Sequence, residues 1–214
     1  MAKSPKKLYE VAKRLMDIII ALGFILILFP LYLITGLVIW LQDRHSPFYY
    51  QDRIGLNAVP FKFYKFRSMV INADDILLED KELYKRMRSG ANKMVDDPRV
   101  TKFGKFIRKY SIDEIPQMLN VLKGDMSVIG PRALRPDEYK MYADGSAENA
   151  RKLKTLSSVK PGITGYWQVS GRSNVDFNKR IDMDCYYATK KSIWLDILIL
   201  IKTPFAVIKG EGAY

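Results

Sequence analysis

Asp113 and Glu114 stand side by side in the stretch Ser111–Arg132, SIDEIPQMLNVLKGDMSVIGPR, with Arg108 shortly before them. A carboxylate pair beside a cation can serve chemistry on an anionic group, because the cation can pair Asp113 or hold a phosphate. The same pair also has a plainer use. Ile115, Met118, Leu119 and Leu122 make one apolar stripe and Gly124 is a stop, so the spacing predicts a short helix here. Asp113 would cap it and Glu114 would complement its dipole, an effect of about 0.3–1 kcal/mol. Pro116 favours that start. With Asp113 as cap it takes the third helical position, where no donor is needed; with Ser111 as cap its ring would clash one turn inside. Spacing alone leaves both uses open.

Further basic residues are placed to join the pair. Phe61–Arg67 alternates apolar and basic residues after Phe48-Tyr49-Tyr50-Gln51, and Gly55-Leu56-Asn57 reads as the turn of a hairpin. One face of the second strand would present Lys62 with Lys65 or Arg67 beside aromatics, a surface suited to nucleic acid or to a membrane interface. Val100–Tyr110 predicts an amphipathic helix, with Val100, Phe103, Phe106, Ile107 and Tyr110 on one side and Lys102, Lys105 and Lys109 on the other. Residues 72–96 read as charged and helical, and 137–158 as a polar helix and loop. Gly130-Pro131-Arg132 is a tight turn presenting an arginine. Pro161-Gly162-Ile163-Thr164-Gly165 is a second turn, followed by Tyr166-Trp167-Gln168-Val169 and the glycine-bracketed Arg172.

The chain of 214 residues carries a formal charge of +12, enough length for one domain with a core and an appendage. The basic excess calls for an anionic partner: nucleic acid, anionic lipid or a phosphorylated substrate. One cysteine, Cys185, excludes an internal disulfide, and one histidine, His45, excludes a histidine-based zinc site.

Ile18–Leu41 holds no charged side chain. As a helix it would reach about 36 Å, against a bilayer core of about 30 Å, so it is predicted to enter the membrane. It is too long for a cleavable signal and lacks a small-residue cleavage site. Pro30 lies mid-run, where a proline kinks or breaks a helix. Basic residues flank both ends, Lys3, Lys6, Lys7, Lys13 and Arg14 before it and Arg44, Arg53, Lys62, Lys65 and Arg67 after it. A segment that breaks at Pro30 and leaves by the face it entered fits two basic flanks; a spanning helix kinked at the proline is the alternative. Ser192–Ile208 is apolar but interrupted by Asp196, Lys202 and Pro204, and reads as an interfacial helix with Trp194 at headgroup depth.

Taken in order, these segments resemble the bacterial sugar transferases, the monotopic polyprenyl-phosphate phosphoglycosyl transferases, from about Lys13 to Tyr214. The resemblance is carried by Lys65-Phe66-Arg67-Ser68-Met69, Phe103–Arg108, Ser111–Arg132, Lys160–Gly165, Gln168–Arg172, Asp184-Cys185-Tyr186-Tyr187 and Gly212-Ala213-Tyr214. It implies an α+β, mostly helical fold: a basic N-terminus and re-entrant membrane helix over 1–44, then a cytosol-facing catalytic domain over 45–214 with interfacial helices and a short β element. It implies Asp113 as nucleophile and Glu114 as its partner on Mg²⁺, with Lys65, Arg67, Arg108, Arg132 and Arg172 binding substrate and Pro30 breaking the membrane helix. The donor would be a UDP-sugar, with a hexose implied by Gly165–Arg172 and the Gly-Ala-Tyr end. The acceptor would be polyprenyl (undecaprenyl) phosphate in the bacterial inner membrane, worked on from its cytoplasmic face.

UMP would leave as a covalent aspartyl intermediate forms, in a first membrane step of exopolysaccharide, capsule, O-antigen or glycoconjugate assembly. No nucleic acid is implied, and a homodimer is allowed. Two positions depart from the family pattern: Phe29-Pro30 replaces its Ser-Pro, and Pro131-Arg132-Ala133 replaces its Pro-Arg-Pro. Larger relatives carry membrane helices and a soluble domain ahead of this region, so the chain would correspond to their catalytic core. The rival readings are a membrane-tethered nucleic-acid-binding protein, argued only from charge, and a scaffold.

Overall fold

The apolar run becomes the spine of the molecule. In the computed structural model, which describes residues 5–89, 97–170 and 175–208, helix α1 extends from Pro5 to Asp43. Helical conformation continues through Pro30, so the expected interruption is absent. The proline removes one backbone donor, and the residues on either side sustain the helix. Ile19, Leu26, Ile27, Phe29, Leu33, Ile34 and Leu37 are each more than half exposed. Only 11% of the most apolar 18-residue window is buried, which separates α1 from the core helix of a soluble protein.

The opposite side of α1 lies on the rest of the chain along its whole length. Met16, Ile20, Ala21 and Ile25 pack with Met118, Val121 and Met126, while Leu28, Leu31, Tyr32 and Ile39 pack around Phe66, Ile107 and Ile115. Polar clasps fix both ends. The Arg14 guanidinium donates to the carbonyls of Val121 and Leu122 at 2.5 and 2.7 Å, where α5 (Gln117–Lys123) ends and its dipole favours a cation. Asp17 accepts from Ser127 Oγ and Val128 N–H at 2.9 and 3.0 Å on strand β3 (Ser127–Ile129). Lys13 lies 3.4 Å from Asp17 and 3.5 Å from Asp196 of helix α10 (Ile193–Ile208), and Asp196 also accepts from Tyr9 and Tyr187.

Asp196 is therefore no mere interruption of an apolar helix. It is fully buried and holds α10 against α1, leaving Trp194, Ile201 and Phe205 on the exposed side. Asp196→Ala would take from Lys13 one of its two carboxylates, leaving Asp17, and from the Tyr9 and Tyr187 hydroxyls a shared acceptor, leaving Tyr187 the Ile129 carbonyl. The expected loss is about 1.5–3 kcal/mol of stability, read by denaturation in detergent; a loss below about 1 kcal/mol would show the network to be solvated.

Strands β1 (Phe48–Ile54) and β2 (Pro60–Phe66) form the antiparallel hairpin, with Tyr49 opposite Lys65 and Arg53 opposite Phe61. Strand parity corrects one expectation. Lys65 shares a face with Phe61 and Phe63, whereas Lys62 points the other way and pairs with Asp52 at 2.9 Å. The free edge of β2 is covered by the buried Asn120 amide, which accepts from Tyr64 N–H at 3.0 Å and donates to the Lys62 carbonyl at 2.7 Å. That side chain welds α5 to the hairpin.

Helices α2 (Ala73–Glu79) and α3 (Lys81–Ser89) follow, then α4 (Lys102–Lys109), capped by Thr101 Oγ1 accepting from Gly104 N–H at 2.8 Å. Strand β3 pairs in parallel with β4 (Gly162–Thr164). Their glycines allow it, since a Cβ on Gly162 would lie 2.0 Å from Gly130 N. Helices α6 (Pro136–Gly145) and α7 (Ala147–Leu156) precede β4; α8 (Tyr166–Ser170) and α9 (Phe177–Lys190) follow it.

Candidate active site

The two carboxylates do not open α5. That helix begins at Gln117 with Pro116 in the capping position, and Asp113 and Glu114 lie in a separate 3₁₀ turn, Ile112–Glu114. Ser111 precedes them in the left-handed region at φ 56, which ends α4 sharply and reorients the chain. Ile112 and Ile115 anchor the turn beside Phe66 and Ile107. The capping role expected for Asp113 is thus replaced by a burial role, because proline at 116 takes the capping position three residues later.

Lys65 reaches this turn from β2. Its Nζ lies 2.8 Å from Glu114 Oε1 and 3.4 Å from Asp113 Oδ2. The Asp113 side chain is 8% exposed and that of Glu114 36%, so the first is enclosed and the second open to an incoming group. Burial is the largest influence on Asp113 and pushes its carboxyl above the usual range; Lys65 and Arg108 pull the other way, and Glu114 adds to the rise. Burial also opposes the Lys65 charge, yet the two carboxylates outweigh it and hold the ammonium above the ordinary lysine value.

The structure brings Lys65, Asp113 and Glu114 together, and Arg108, at the end of α4, is near enough to favour the Asp113 charge. Arg132 stands farther along, past β3. Its backbone N–H donates to Asp184 Oδ2 at 3.3 Å, and its guanidinium faces the Trp167 ring at 5.9 Å. Arg67 does not join the group. It forms a two-pronged ion pair with Asp43 and donates to the Ser46 carbonyl at 2.9 Å, closing the far end of α1. That pairing draws the Asp43 carboxyl down to about 2. Arg172 and Gly212-Ala213-Tyr214 lie outside the described residues.

Two arginines escaped the sequence reading. Arg53 stacks over Phe63 at 5.3 Å while Lys65 stands 5.7 Å from the same ring, so one strand face carries both cations. Burial, then Arg132, brings Arg53 down to about 10. Hairpin register would have found it. Arg180 precedes Asp184 by one helical turn on α9, a signal legible in the i, i+4 spacing.

Asp184 is fully buried, and burial raises its carboxyl to about 7. An acid with a raised folded pKa favours the fold while protonated, so this contribution is lost as pH rises from about 4 through about 7. Asp184→Asn keeps an acceptor for Arg132 N–H without the charge. Its melting temperature is expected to exceed that of the wild type by several degrees at pH 8 and by less at pH 5. Equal gains at both pH values would show Asp184 to be ionised throughout.

Residues 8–210 match the profile of the family described as bacterial sugar transferase. The chain belongs to that family. Among its relatives, the galactosyl transferase CpsE of Streptococcus agalactiae is 43% identical over 95% of this chain and 43% of its own length. The undecaprenyl-phosphate galactose phosphotransferase of Salmonella typhimurium is 38% identical over 94% of this chain and 41% of its own. A UDP-N-acetylgalactosamine-undecaprenyl-phosphate N-acetylgalactosaminephosphotransferase of Aeromonas hydrophila is 38% identical over 98% and 46%. The chain therefore spans less than half the length of these relatives.

Proposed function

We propose that the protein is a phosphoglycosyl transferase that moves a hexose 1-phosphate, such as galactose 1-phosphate, from a UDP-sugar to polyprenyl (undecaprenyl) phosphate. The observation that carries this reading is the enclosed Asp113 carboxylate with Lys65 Nζ shared between it and Glu114. An Asp113 oxygen attacks the sugar-bearing phosphorus, the bond to the nucleotide phosphate breaks, and UMP leaves with the electron pair. A phosphate oxygen of the lipid then attacks the same phosphorus, and the aspartyl oxygen departs. Lys65 and Arg108 offset the repulsion between Asp113 and the diphosphate. The relatives' names support the substrates: two name galactose, one N-acetylgalactosamine, and two undecaprenyl phosphate.

The donors present suit Mg²⁺. Among the described residues no group of three or more His, Cys, Asp or Glu stands together, so the protein offers oxygen from Glu114 with Asp113 beside it. Mg²⁺ is commonly held that way, by one or two carboxylates plus substrate phosphates. Glu114 would hold the ion, which when bound would neutralise charge on the diphosphate.

Residues 1–44 form the membrane-inserted part and 45–214 the part facing the cytoplasm at the inner membrane. Both ends of Ile18–Leu41 lie on that one side, so the unbroken helix rests along the membrane interface with its exposed apolar side in the bilayer. Support comes from the two clasps, Lys13 and Asp17 at one end and Asp43 with Arg67 at the other, which are charged and dock on one packed body. An apolar layer about 30 Å thick between them would forbid that. The nucleic-acid and scaffold readings give Lys65, Asp113 and Glu114 no task.

The test is UMP release from UDP-sugars, with Mg²⁺ and detergent-solubilised polyprenyl phosphate. UDP-galactose or UDP-glucose is expected to support turnover, and excess EDTA to stop it. Release from UDP-N-acetylhexosamines alone would overturn the hexose assignment. Full turnover in EDTA, with bound metal shown absent, would remove Mg²⁺. Silence with every UDP-sugar would overturn the reading itself.

A further inference from the structure

Positive charge continues from the carboxylates toward α9. Arg53 feels Glu114 on one side and Arg132 on the other, and Arg132 in turn opposes the charge on Arg180. Trp167 on α8 meets two of these cations, with the Arg132 guanidinium 5.9 Å and the Arg180 guanidinium 5.6 Å from its ring centroid. Arg180 also lies 4.5 Å over Phe177.

Several of the donor atoms gathered here have no acceptor among the described residues. Arg180 Nε and Nη2 and Trp167 Nε1 are enclosed with no hydrogen-bond partner among the described residues; so is Arg53 Nε, although Arg53 Nη1 and Nη2 donate to the Ala133 carbonyl and Gln51 Oε1. Asp184, one helical turn from Arg180, gives Oδ2 to the Arg132 backbone and leaves Oδ1 unpartnered rather than pairing with the guanidinium. An arginine kept for the fold would hold a carboxylate or carbonyl, because buried donors without acceptors cost stability. Burial likewise weakens the Arg180 charge, drawing it down to about 10. Guanidinium forks, unlike ammonium groups, match two oxygens of one phosphate.

We propose that Arg180, set beside Arg132 and Trp167, forms a second phosphate cradle, distinct from the Lys65 and Arg108 cations that act on Asp113. The inference rests on the transferase reading and deepens it. The ligand is a phosphate ester, which two substrates carry: the nucleotide phosphate that leaves as UMP, and the phosphate of the lipid acceptor. Arg180 is a binding residue here, and it has no part in setting the Asp113 charge.

The experiment uses the full chain in detergent with Trp40→Phe and Trp194→Phe, so that fluorescence reports Trp167. UMP and polyprenyl phosphate are titrated separately into this protein and into its Arg180→Gln and Arg180→Lys variants. At least one ligand is expected to change Trp167 emission, with its apparent Kd raised tenfold or more in Arg180→Gln and partly restored in Arg180→Lys. The KM of the matching substrate should rise in step, while the acid limb of the pH profile stays in place. A UMP response assigns the cradle to the donor, and a polyprenyl phosphate response assigns it to the acceptor. Unchanged Kd for both ligands in Arg180→Gln, or a fall in melting temperature as the sole effect, would overturn the cradle. Binding is read without turnover. An inactive wild type that still binds UMP through Arg180 would therefore count against the transferase reading alone.

Discussion

Asp113→Asn is expected to cut UMP release by ~10³-fold or more while the protein melts no lower than the wild type. The two halves of that result have separate causes. Asparagine has nearly the shape of aspartate but no nucleophilic carboxylate, so attack on phosphorus stops. Stability moves the other way because burial raises the Asp113 carboxyl. An acid whose folded pKa lies above its unfolded value disfavours the fold wherever it is ionised, so at neutral pH its replacement by a neutral amide relieves a cost. Lys65 keeps Glu114 as its closer partner at 2.8 Å, so the variant strands no cation. Turnover near the wild-type rate would end the nucleophile assignment. A fall of many degrees in melting temperature would mean that Asp113 serves the fold.

Lys65→Met is expected to lower kcat by ~10²-fold and to move the acid limb of kcat/KM to higher pH. In the wild type that limb should already lie above the ordinary carboxylate range, since desolvation of Asp113 is only partly offset by Lys65 and Arg108. Without Lys65, Asp113 holds its proton to higher pH and the ionised fraction at neutrality falls. The folded Lys65 pKa lies above its ordinary value of 10.5, so its ion pairs favour the fold below that pH and weaken only in strong alkali. Lys65→Met should therefore melt lower than the wild type at pH 7. A slowed variant whose acid limb has not moved would show that Lys65 binds substrate without tuning Asp113.

The period of the pattern decided what could be read in advance. Alternation over Phe61–Arg67 and the Gly55-Leu56-Asn57 turn gave the hairpin, and the same alternation, carried across the register, would have separated Lys62 from Lys65 and placed Arg53 beside the site. The apolar stretch Ile18–Leu41 was legible as a long apolar helix. Continuity through Pro30 was not, because it depends on packing of Leu28, Leu31 and Tyr32 against Phe66 and its neighbours. Asp113 and Glu114 stood out by type, but the 3₁₀ turn that holds them depends on Ser111 at positive φ and on Pro116 together. Arg67 looked like one more cation near the carboxylates until Asp43, 24 residues away along the chain, claimed it. Asp196 and Lys13 are farther apart still, and no local pattern joins them. The spacing of Arg180 and Asp184 on one helix was legible, but Trp167 and Arg132, which stand beside Arg180, come from other elements.

The most direct test of a covalent route through Asp113 omits the lipid acceptor. The protein is mixed with a UDP-galactose labelled in its β-phosphate, quenched and digested, and the label is followed into peptides. The expected result is label on the peptide containing Asp113, with UMP released in amounts matching the protein and no label in Asp113→Asn. Unlabelled wild-type protein, from a preparation that turns over fully once polyprenyl phosphate is added, would contradict it.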